Sequence, residues 1–128
     1  MATLELTKEN LMSTIEDNDI VLIDFWAPWC APCKAFGPVY EKASNSHEDV
    51  IFAKCNTEQQ QELAAEFGIM AIPTLVAFRE RITIFKQAGM LPAAALEELI
   101  TKIRELDMSD VRRRIVEQEE EEGGTSSS

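Results

Sequence analysis

Two cysteines separated by two residues, Cys30 and Cys33, are the side chains of this sequence best suited to chemistry. They follow an apolar run over residues 20–26 and precede a segment with a helical pattern. A cysteine at the start of a helix lies beside exposed backbone N–H groups, which favour the thiolate. The spacing also allows the pair to close a disulfide. We therefore interpret the pair as a redox-active dithiol, with Cys30 as an exposed nucleophile and Cys33 as a more buried second thiol.

A metal site and a structural disulfide are the alternatives for this pair. A closed zinc site needs four ligands, and only Cys55 and His47 remain to complete it. Pro32 suits a helix start better than a zinc-binding turn, so we expect no metal. The odd number of cysteines argues against a framework of structural disulfides. We expect Cys55 to be a buried small apolar side chain, with a regulatory thiol as the alternative.

Asp24 interrupts the apolar run shortly before the cysteines. A continuous run of β-branched and apolar residues is typical of a strand buried on both faces, so this carboxyl group should lose most of its hydration. Desolvation raises the pKa of a carboxyl group, and a pKa near neutrality suits a proton acceptor. A buried salt bridge with a purely structural role is the alternative.

The elements that would position these residues alternate along the chain. Apolar runs predict strands at residues 3–6, 20–26, 50–55, 73–78 and 82–85. Helical patterns predict helices after Thr7, over residues 31–47 with Pro38 inside, after a capping box of Thr57 and Gln60, and after Pro92. The order β-α-β-α-β-α-β-β-α predicts an α/β fold, in which four helices flank a mixed central sheet of about five strands.

Charge divides the 128 residues into two parts. Residues 107–128 hold three of the 12 Lys and Arg residues but seven of the 23 Asp and Glu residues. We interpret residues 1–106 as one domain and residues 107–128 as a charged extension that is partly helical and disordered from about Glu119. Residues 123–128 resemble a flexible linker. The extension is either a solubilising terminus or an arm for a basic partner.

The net charge of −11 argues against nucleic acid and anionic membranes as partners. The first twenty residues contain no long apolar run, and no later segment approaches the ~18 apolar residues that span a bilayer. We therefore expect a cytoplasmic protein. In a reducing cytosol, two cysteines at this spacing are more often redox-active or metal-binding than structural.

The cysteine pair belongs to a longer pattern. It comprises the string from Asp24 to Lys34 (DFWAPWCAPCK), then Pro38, Lys54, the triplet Ile72-Pro73-Thr74, and Gly89. With these residues, the chain resembles bacterial-type members of the thioredoxin family over residues 1–106. Two positions depart from the family. Ala31 replaces the usual glycine between the cysteines, which leaves the redox potential open. Arg81 replaces the usual glycine of a hairpin turn, which requires either a positive φ or a different turn.

The resemblance implies a thioredoxin fold and a protein-disulfide reductase. It implies that Cys30 attacks a substrate disulfide and Cys33 resolves the mixed disulfide, with Asp24 as the proton acceptor, acting through water, and Lys54 as its partner. It also implies a cis bond before Pro73. A shallow apolar groove for the substrate would be lined by Trp29, Ala31, Pro32, Met70, Ala71, Ile72, Pro73, Gly89 and Met90, with Trp26 and Pro38 in structural roles.

The resemblance also implies partners. These are an NADPH-dependent thioredoxin reductase and disulfide-containing client proteins, and we expect the chain to act as a monomer. No bound cofactor is implied beyond the redox-active Cys30–Cys33 disulfide. Two alternatives remain at this stage. One is a thioredoxin-fold holdase or assembly partner that uses the acidic extension, and the other is a more oxidising thiol–disulfide exchanger tuned by Ala31.

Overall fold

Five strands and five helices are found in the structure of this chain, a computed structural model that describes residues 3–126. They are β1 (Thr3–Glu5), α1 (Leu11–Glu16), β2 (Ile20–Trp26), α2 (Ala31–Ser44), β3 (Val50–Asn56), α3 (Gln61–Glu66), β4 (Thr74–Arg79), β5 (Ile82–Ala88), α4 (Ala93–Glu105) and α5 (Met108–Ser126). The first nine elements follow the predicted order, and α5 is a tenth. The predicted α/β fold with a mixed five-stranded sheet is confirmed.

The sheet has the strand order β1-β3-β2-β4-β5. Strands β1 and β2 both lie parallel to β3, whereas β4 lies antiparallel to β2 and β5. Strand β2 is therefore central, and all of its residues except Trp26 are buried. Its continuous apolar character follows from this position, because a central strand is covered by helices on both faces.

Side chains alternate between the two faces of β2 and place Asp24 on a particular side. Leu22 packs in a core cluster with Phe36 of α2 and Ile100 of α4. Phe25 packs in a second cluster on the opposite face. Since Asp24 is two residues from Leu22, its carboxyl group lies on the face covered by α2. The helix that begins at the cysteines is therefore the helix that covers Asp24.

The β4–β5 hairpin closes through Glu80 and Arg81, whose φ angles are 50° and 69°. Arg81 thus adopts the positive φ that its replacement of a glycine requires. Two positive φ values in a two-residue turn match the right-handed twist of the flanking strands. The Glu80 N–H donates to the Asp19 carbonyl at 2.8 Å. The Arg79 guanidinium donates to the Ile103 carbonyl at 2.6 Å, near the end of α4. These bonds tie the turn to the loop before β2 and to α4.

The start of α3 differs from the prediction. The expected capping box of Thr57 and Gln60 is absent from the described chain, and α3 begins later, at Gln61. The Asn56 side chain instead accepts from the N–H of Glu58 at 2.9 Å. The Thr57 hydroxyl donates to the Trp26 carbonyl at 3.1 Å. These two bonds hold residues 56–60 in a turn, so α3 begins only at Gln61 and Thr57 lies too far upstream to be its N-cap.

Helix α5 packs on the domain through one face. Met108 is buried, and Val111 and Ile115 are half-buried at the spacing of a single helix face. Arg112 contacts Glu80 at the hairpin turn. The helix runs to Ser126, whereas the sequence led us to expect disorder from about Glu119 and a linker over 123–128, of which the last two residues lie outside the described part. Among the described helices, none is both long enough and apolar enough to span a membrane.

Candidate active site

Cys30 and Cys33 are joined by a disulfide at the start of α2, with their Cα atoms 5.2 Å apart. Cys30 is the N-cap residue of α2, and its Sγ accepts a hydrogen bond from the Cys33 N–H at 3.2 Å. Pro32 lies in the first turn, where its missing N–H leaves no unpaired donor. In the reduced protein, the same N–H and the helix dipole favour a negative charge on the Cys30 sulfur.

The exposure of Cys30 differs from the expectation. Cys30 is 5% exposed and Cys33 is 4% exposed, so the two are equally buried in this oxidised form. Both pack with Ala27 and with the side chain of Ile72. The Cys30 Sγ also lies 3.7 Å from the Ile72 carbonyl oxygen. A loop distant in sequence therefore covers the first cysteine, which the local motif alone does not indicate.

The loop that covers the disulfide contains the Ile72–Pro73 peptide bond, which is cis, as the resemblance implied. The Pro73 carbonyl accepts from the Gly89 N–H at 2.8 Å, which joins the loop to the end of β5. The Thr74 hydroxyl donates to the Ala71 carbonyl at 2.5 Å. The loop is thus held from both sides, with the Ile72 carbonyl directed at the cysteines.

Several of the residues predicted to form the substrate groove are exposed. Trp29 is 67% exposed, Met70 is 96% exposed and Met90 is 42% exposed. Ala31, Pro32, Ala71 and Gly89 are also exposed, Ile72 is half-buried, and Pro73 is buried. Exposed apolar side chains mark a contact surface where they lie side by side, which is the arrangement expected of a substrate groove. Of these residues, Ile72 contacts the cysteines, and the neighbouring Pro73 is bonded to Gly89.

Trp29 has a partner that no sequence motif indicates. Its indole N–H donates to the Glu58 carboxylate at 2.6 Å. Glu58 lies in the turn that follows β3, a position that β2 and β3 bring beside the cysteine motif. This bond fixes the orientation of an exposed aromatic ring next to Cys30.

Asp24 is 1% exposed, and neither of its carboxylate oxygens has a hydrogen-bond partner among the described residues. Burial raises the pKa of Asp24 from 3.8 to about 7, and the positive charge of Lys54 opposes this rise. The direction is the one predicted from the sequence. A buried carboxyl group that titrates near neutrality can take up and release a proton at physiological pH.

Lys54 lies directly beside Asp24 in the register of β2 and β3. Its ammonium group is not hydrogen-bonded to the carboxylate, however, and instead lies 4.8 Å from the centre of the Trp26 ring. The predicted pairing of Lys54 with Asp24 is therefore electrostatic and not a direct hydrogen bond. Trp26, predicted to be structural, provides the surface on which the ammonium rests.

A cavity of about 640 Å³ lies beside α2 and reaches one of the two cysteines. It is lined by Trp26, Cys33, Lys34, Gly37, Pro38, Glu41, Lys42, Asn45 and Lys54. The buried Tyr40 hydroxyl bonds to the Leu22 and Ala53 carbonyls at 3.0 and 2.8 Å, on the side of α2 that faces the sheet. The cavity connects Cys33 with Lys54, and it is wide enough to admit water.

The remaining candidate ligands do not gather at the cysteines. Cys55 is fully buried, and burial raises the pKa of its thiol to about 11. His47 instead bonds to Glu97 at 2.7 Å and to Arg104 at 2.8 Å, at the other end of α2. Within residues 3–126, no three His, Cys, Asp or Glu side chains lie close enough together to hold a metal ion.

Comparisons with known proteins add to this geometry. The Thioredoxin family model matches residues 2–102. The chain is 54% identical to the "Putative thioredoxin 2" of Streptomyces coelicolor, in a match that covers 95% of this chain and 91% of that protein, and therefore extends into α5. It is 38% identical to the thioredoxin of Alicyclobacillus acidocaldarius, in a match that covers 80% of this chain and 98% of that protein.

Solved structures give the same result. A mutant thioredoxin from Halobacterium salinarum superimposes with a TM-score of 0.75 at 33% identity, covering 81% of this chain and 92% of that one. Mitochondrial thioredoxin 3 from Saccharomyces cerevisiae, in its oxidised form, superimposes with a TM-score of 0.72 at 34% identity, covering 78% and 94%. The chain therefore belongs to the thioredoxin family, whose members are protein-disulfide oxidoreductases.

Proposed function

We propose that this chain is a general reductant of protein disulfides in the cytoplasm, with Cys30 as the attacking thiolate and Cys33 as the resolving thiol. The observation that carries the assignment is the hydrogen bond from the Cys33 N–H to the Cys30 Sγ at the start of α2. This donor and the helix dipole stabilise negative charge on Cys30 and not on Cys33. The two thiols therefore have different reactivities before any substrate binds.

In the first step, the Cys30 thiolate attacks one sulfur of a substrate disulfide. The substrate S–S bond breaks, a Cys30–substrate disulfide forms, and the second substrate sulfur leaves as a thiolate that takes up a proton. Access to Cys30 requires the substrate to approach over the exposed apolar surface formed by Trp29, Met70 and Met90. The backbone of the Ile72–Pro73 loop offers polar groups for pairing with an extended substrate segment.

In the second step, the Cys33 thiol loses its proton and attacks the Cys30 sulfur. The mixed disulfide breaks, the Cys30–Cys33 disulfide forms, and the substrate leaves as a thiolate that is then protonated. The enzyme dithiol has been oxidised and the substrate disulfide reduced by the same two electrons. We assign the proton of Cys33 to Asp24, by way of water that enters from the cavity lined by Cys33 and Lys54, because Asp24 is buried without a partner and has a pKa of about 7.

The cycle closes when the Cys30–Cys33 disulfide is reduced again. An NADPH-dependent thioredoxin reductase is the proposed donor, so the chain carries electrons from NADPH to disulfide-containing client proteins as a monomer without a bound cofactor. Residues 1–106 contain all of the proposed site. The extension over residues 107–128 contacts the domain at Glu80, at the opposite end of β4 from Pro73. We therefore propose that the extension takes no part in disulfide exchange.

Trapping of the mixed disulfide tests the two cysteine roles. Cys33→Ser should accumulate a covalent adduct with intact insulin or a disulfide peptide, whereas Cys30→Ser should form none. The buried Cys55→Ser variant is the matched control and should reduce insulin like the parent. An adduct in Cys30→Ser but not in Cys33→Ser would reverse the assignment.

The rate of insulin reduction tests the role of Asp24. Asp24→Asn should slow insulin reduction by about 10-fold or more at pH 7, as expected for loss of a general base.

A further inference from the structure

Three side chains on one face of the sheet, those of Asp24, Trp26 and Lys54, are neighbours in an arrangement that the catalytic assignment leaves unexplained. Asp24 is buried without a hydrogen-bond partner, although Lys54 lies beside it in the strand register. The Lys54 ammonium lies over the ring of Trp26 at 4.8 Å. A buried carboxylate next to a lysine normally forms an ion pair, because an unpaired charge in the protein interior is unfavourable.

Strand geometry places both Asp24 and Trp26 within reach of the Lys54 side chain. Asp24 and Trp26 are two residues apart on β2, so their side chains lie on the same face. Lys54 lies opposite Asp24 on the parallel strand β3, and therefore on that face as well. A flexible four-carbon side chain in this position can extend toward either neighbour. The face of an indole attracts an ammonium group, and an aromatic ring that is half-buried attracts it more strongly than an exposed one.

We propose that Trp26 is a positioning residue that holds the Lys54 ammonium on its indole ring and so prevents it from pairing with the Asp24 carboxylate. The inference rests on the proposed role of Asp24 as proton acceptor. With Lys54 held on the indole, the negative charge of the Asp24 carboxylate has no positive charge in contact with it, so the group takes up a proton near neutral pH. With Lys54 on the carboxylate, the carboxyl group stays ionised to lower pH and becomes a weaker base for Cys33.

The surroundings of Asp24 contain few other groups that can produce the same effect. From α2, the titratable and charged groups on this side are Cys33, Lys34, Tyr40, Glu41 and Lys42. From β3 there is Lys54, and from β4 the residue paired with Asp24 is the apolar Leu75. The Tyr40 hydroxyl is already bonded to two backbone carbonyls. A Cβ added at Gly37 would lie 4.0 Å from the Lys54 ammonium, an ordinary contact distance, so α2 passes beside the lysine without crowding it.

The titration of Asp24 in the oxidised protein tests the proposal, because joined cysteines do not titrate. The midpoint is followed by the ¹³C chemical shift of the Asp24 carboxyl carbon between pH 4 and pH 9. Trp26→Leu should lower the midpoint by about one pH unit, as expected when an opposite charge moves into contact. Trp26→Phe, which keeps an aromatic face, should lower it by less than half as much. Lys54→Met alone should raise it.

A double variant separates positioning from simple burial. If Trp26 acts through Lys54, then Trp26→Leu in the Lys54→Met background should move the midpoint by less than about 0.3 units. An equal downward movement in both backgrounds would mean that Trp26 only excludes water, and would overturn the proposal. A midpoint that stays or rises in Trp26→Leu would overturn it too. Should Trp26→Leu fail to fold, Trp26→Phe with and without Lys54→Met makes the same comparison.

This experiment separates the inference from the proposed function. The carboxyl titration needs no substrate and no turnover, so its comparison with and without Lys54 reports on positioning and not on catalysis. Insulin reduction by Asp24→Asn reports on the proton-acceptor role alone. An unchanged rate in Asp24→Asn together with a Lys54-dependent midpoint would remove the catalytic role and leave the positioning intact. If Asp24→Asn slows insulin reduction but the Asp24 midpoint does not depend on Lys54, the catalytic role stands and the positioning role is removed.

Discussion

Asp24→Asn is expected to stabilise the oxidised protein relative to the parent, increasingly so as the pH rises. Burial raises the pKa of Asp24 from 3.8 to about 7. A pKa difference of one between the folded and unfolded states corresponds to about 1.4 kcal/mol. Asp24 is 1% exposed, so solvent screening does not reduce this effect. The difference in unfolding free energy between variant and parent should therefore grow by about 4 kcal/mol between pH 4 and pH 8.

The pH window follows from the direction of the pKa change. Between pH 3.8 and about 7, the folded protein keeps a proton on Asp24 that the unfolded chain has released. The contribution of Asp24 to stability is complete below pH 3.8, falls through this window and is lost above about pH 7. Asparagine carries no charge at any of these pH values. Any constant effect of the amide group cancels when the difference is compared across pH.

Urea unfolding of the oxidised proteins at several pH values measures the difference directly. Asp17→Asn, which changes an exposed carboxylate at the end of α1, is the matched control. Its difference from the parent should vary by less than about 0.5 kcal/mol over the same range. A curve for Asp24→Asn that stays flat to within about 1 kcal/mol would show that Asp24 is hydrated or paired in solution, and would refute the reasoning.

Three further predictions concern stability, the extension and the redox potential. Tyr40→Phe removes a buried hydroxyl bonded to the Leu22 and Ala53 carbonyls and should lower the unfolding free energy by about 1–3 kcal/mol, measured by urea unfolding. Removal of residues 107–128 exposes the surface that buried Met108 covers and should cost about 2 kcal/mol of stability, while insulin reduction stays within about twofold; loss of client binding on truncation would instead support the holdase alternative. The dithiol, equilibrated with glutathione, should show a potential below about −230 mV, and a value well above this would support the oxidising exchanger that Ala31 left open.

The central part of the fold follows from local sequence patterns. The apolar run at 20–26 predicts a strand buried on both faces, and β2 occupies these residues at the centre of the sheet. Pro32 and the helical pattern after it predict α2, with Cys30 at its start. These predictions succeed because hydrophobic periodicity and the geometry of helix starts are local properties of the chain.

The remaining differences arise from contacts between residues far apart in the chain. Cys30 is buried because the Ile72 loop covers it, forty-two residues further along. Thr57 does not cap α3 because it lies in a turn bonded to the Trp26 carbonyl of another strand, and the helix begins only at Gln61. The Lys54 ammonium lies over Trp26 because the strand register offers it a second partner besides Asp24. A local sequence pattern identifies a hydrogen-bonding or charged side chain. Its partner depends on the tertiary fold and could not be predicted from the pattern.

The attachment of α5 at the hairpin turn has a practical consequence for handling the protein. Strand β4 separates Pro73 from Glu80 by roughly 20 Å. A fluorescent label or a surface linker attached beside Arg112, at an exposed position such as Arg114, would therefore start near the end of β4 that is remote from Pro73. Immobilised in this way, the chain should present its cysteines to large folded substrates with little obstruction. The extension then serves as a natural handle for single-molecule or biosensor measurements of disulfide exchange.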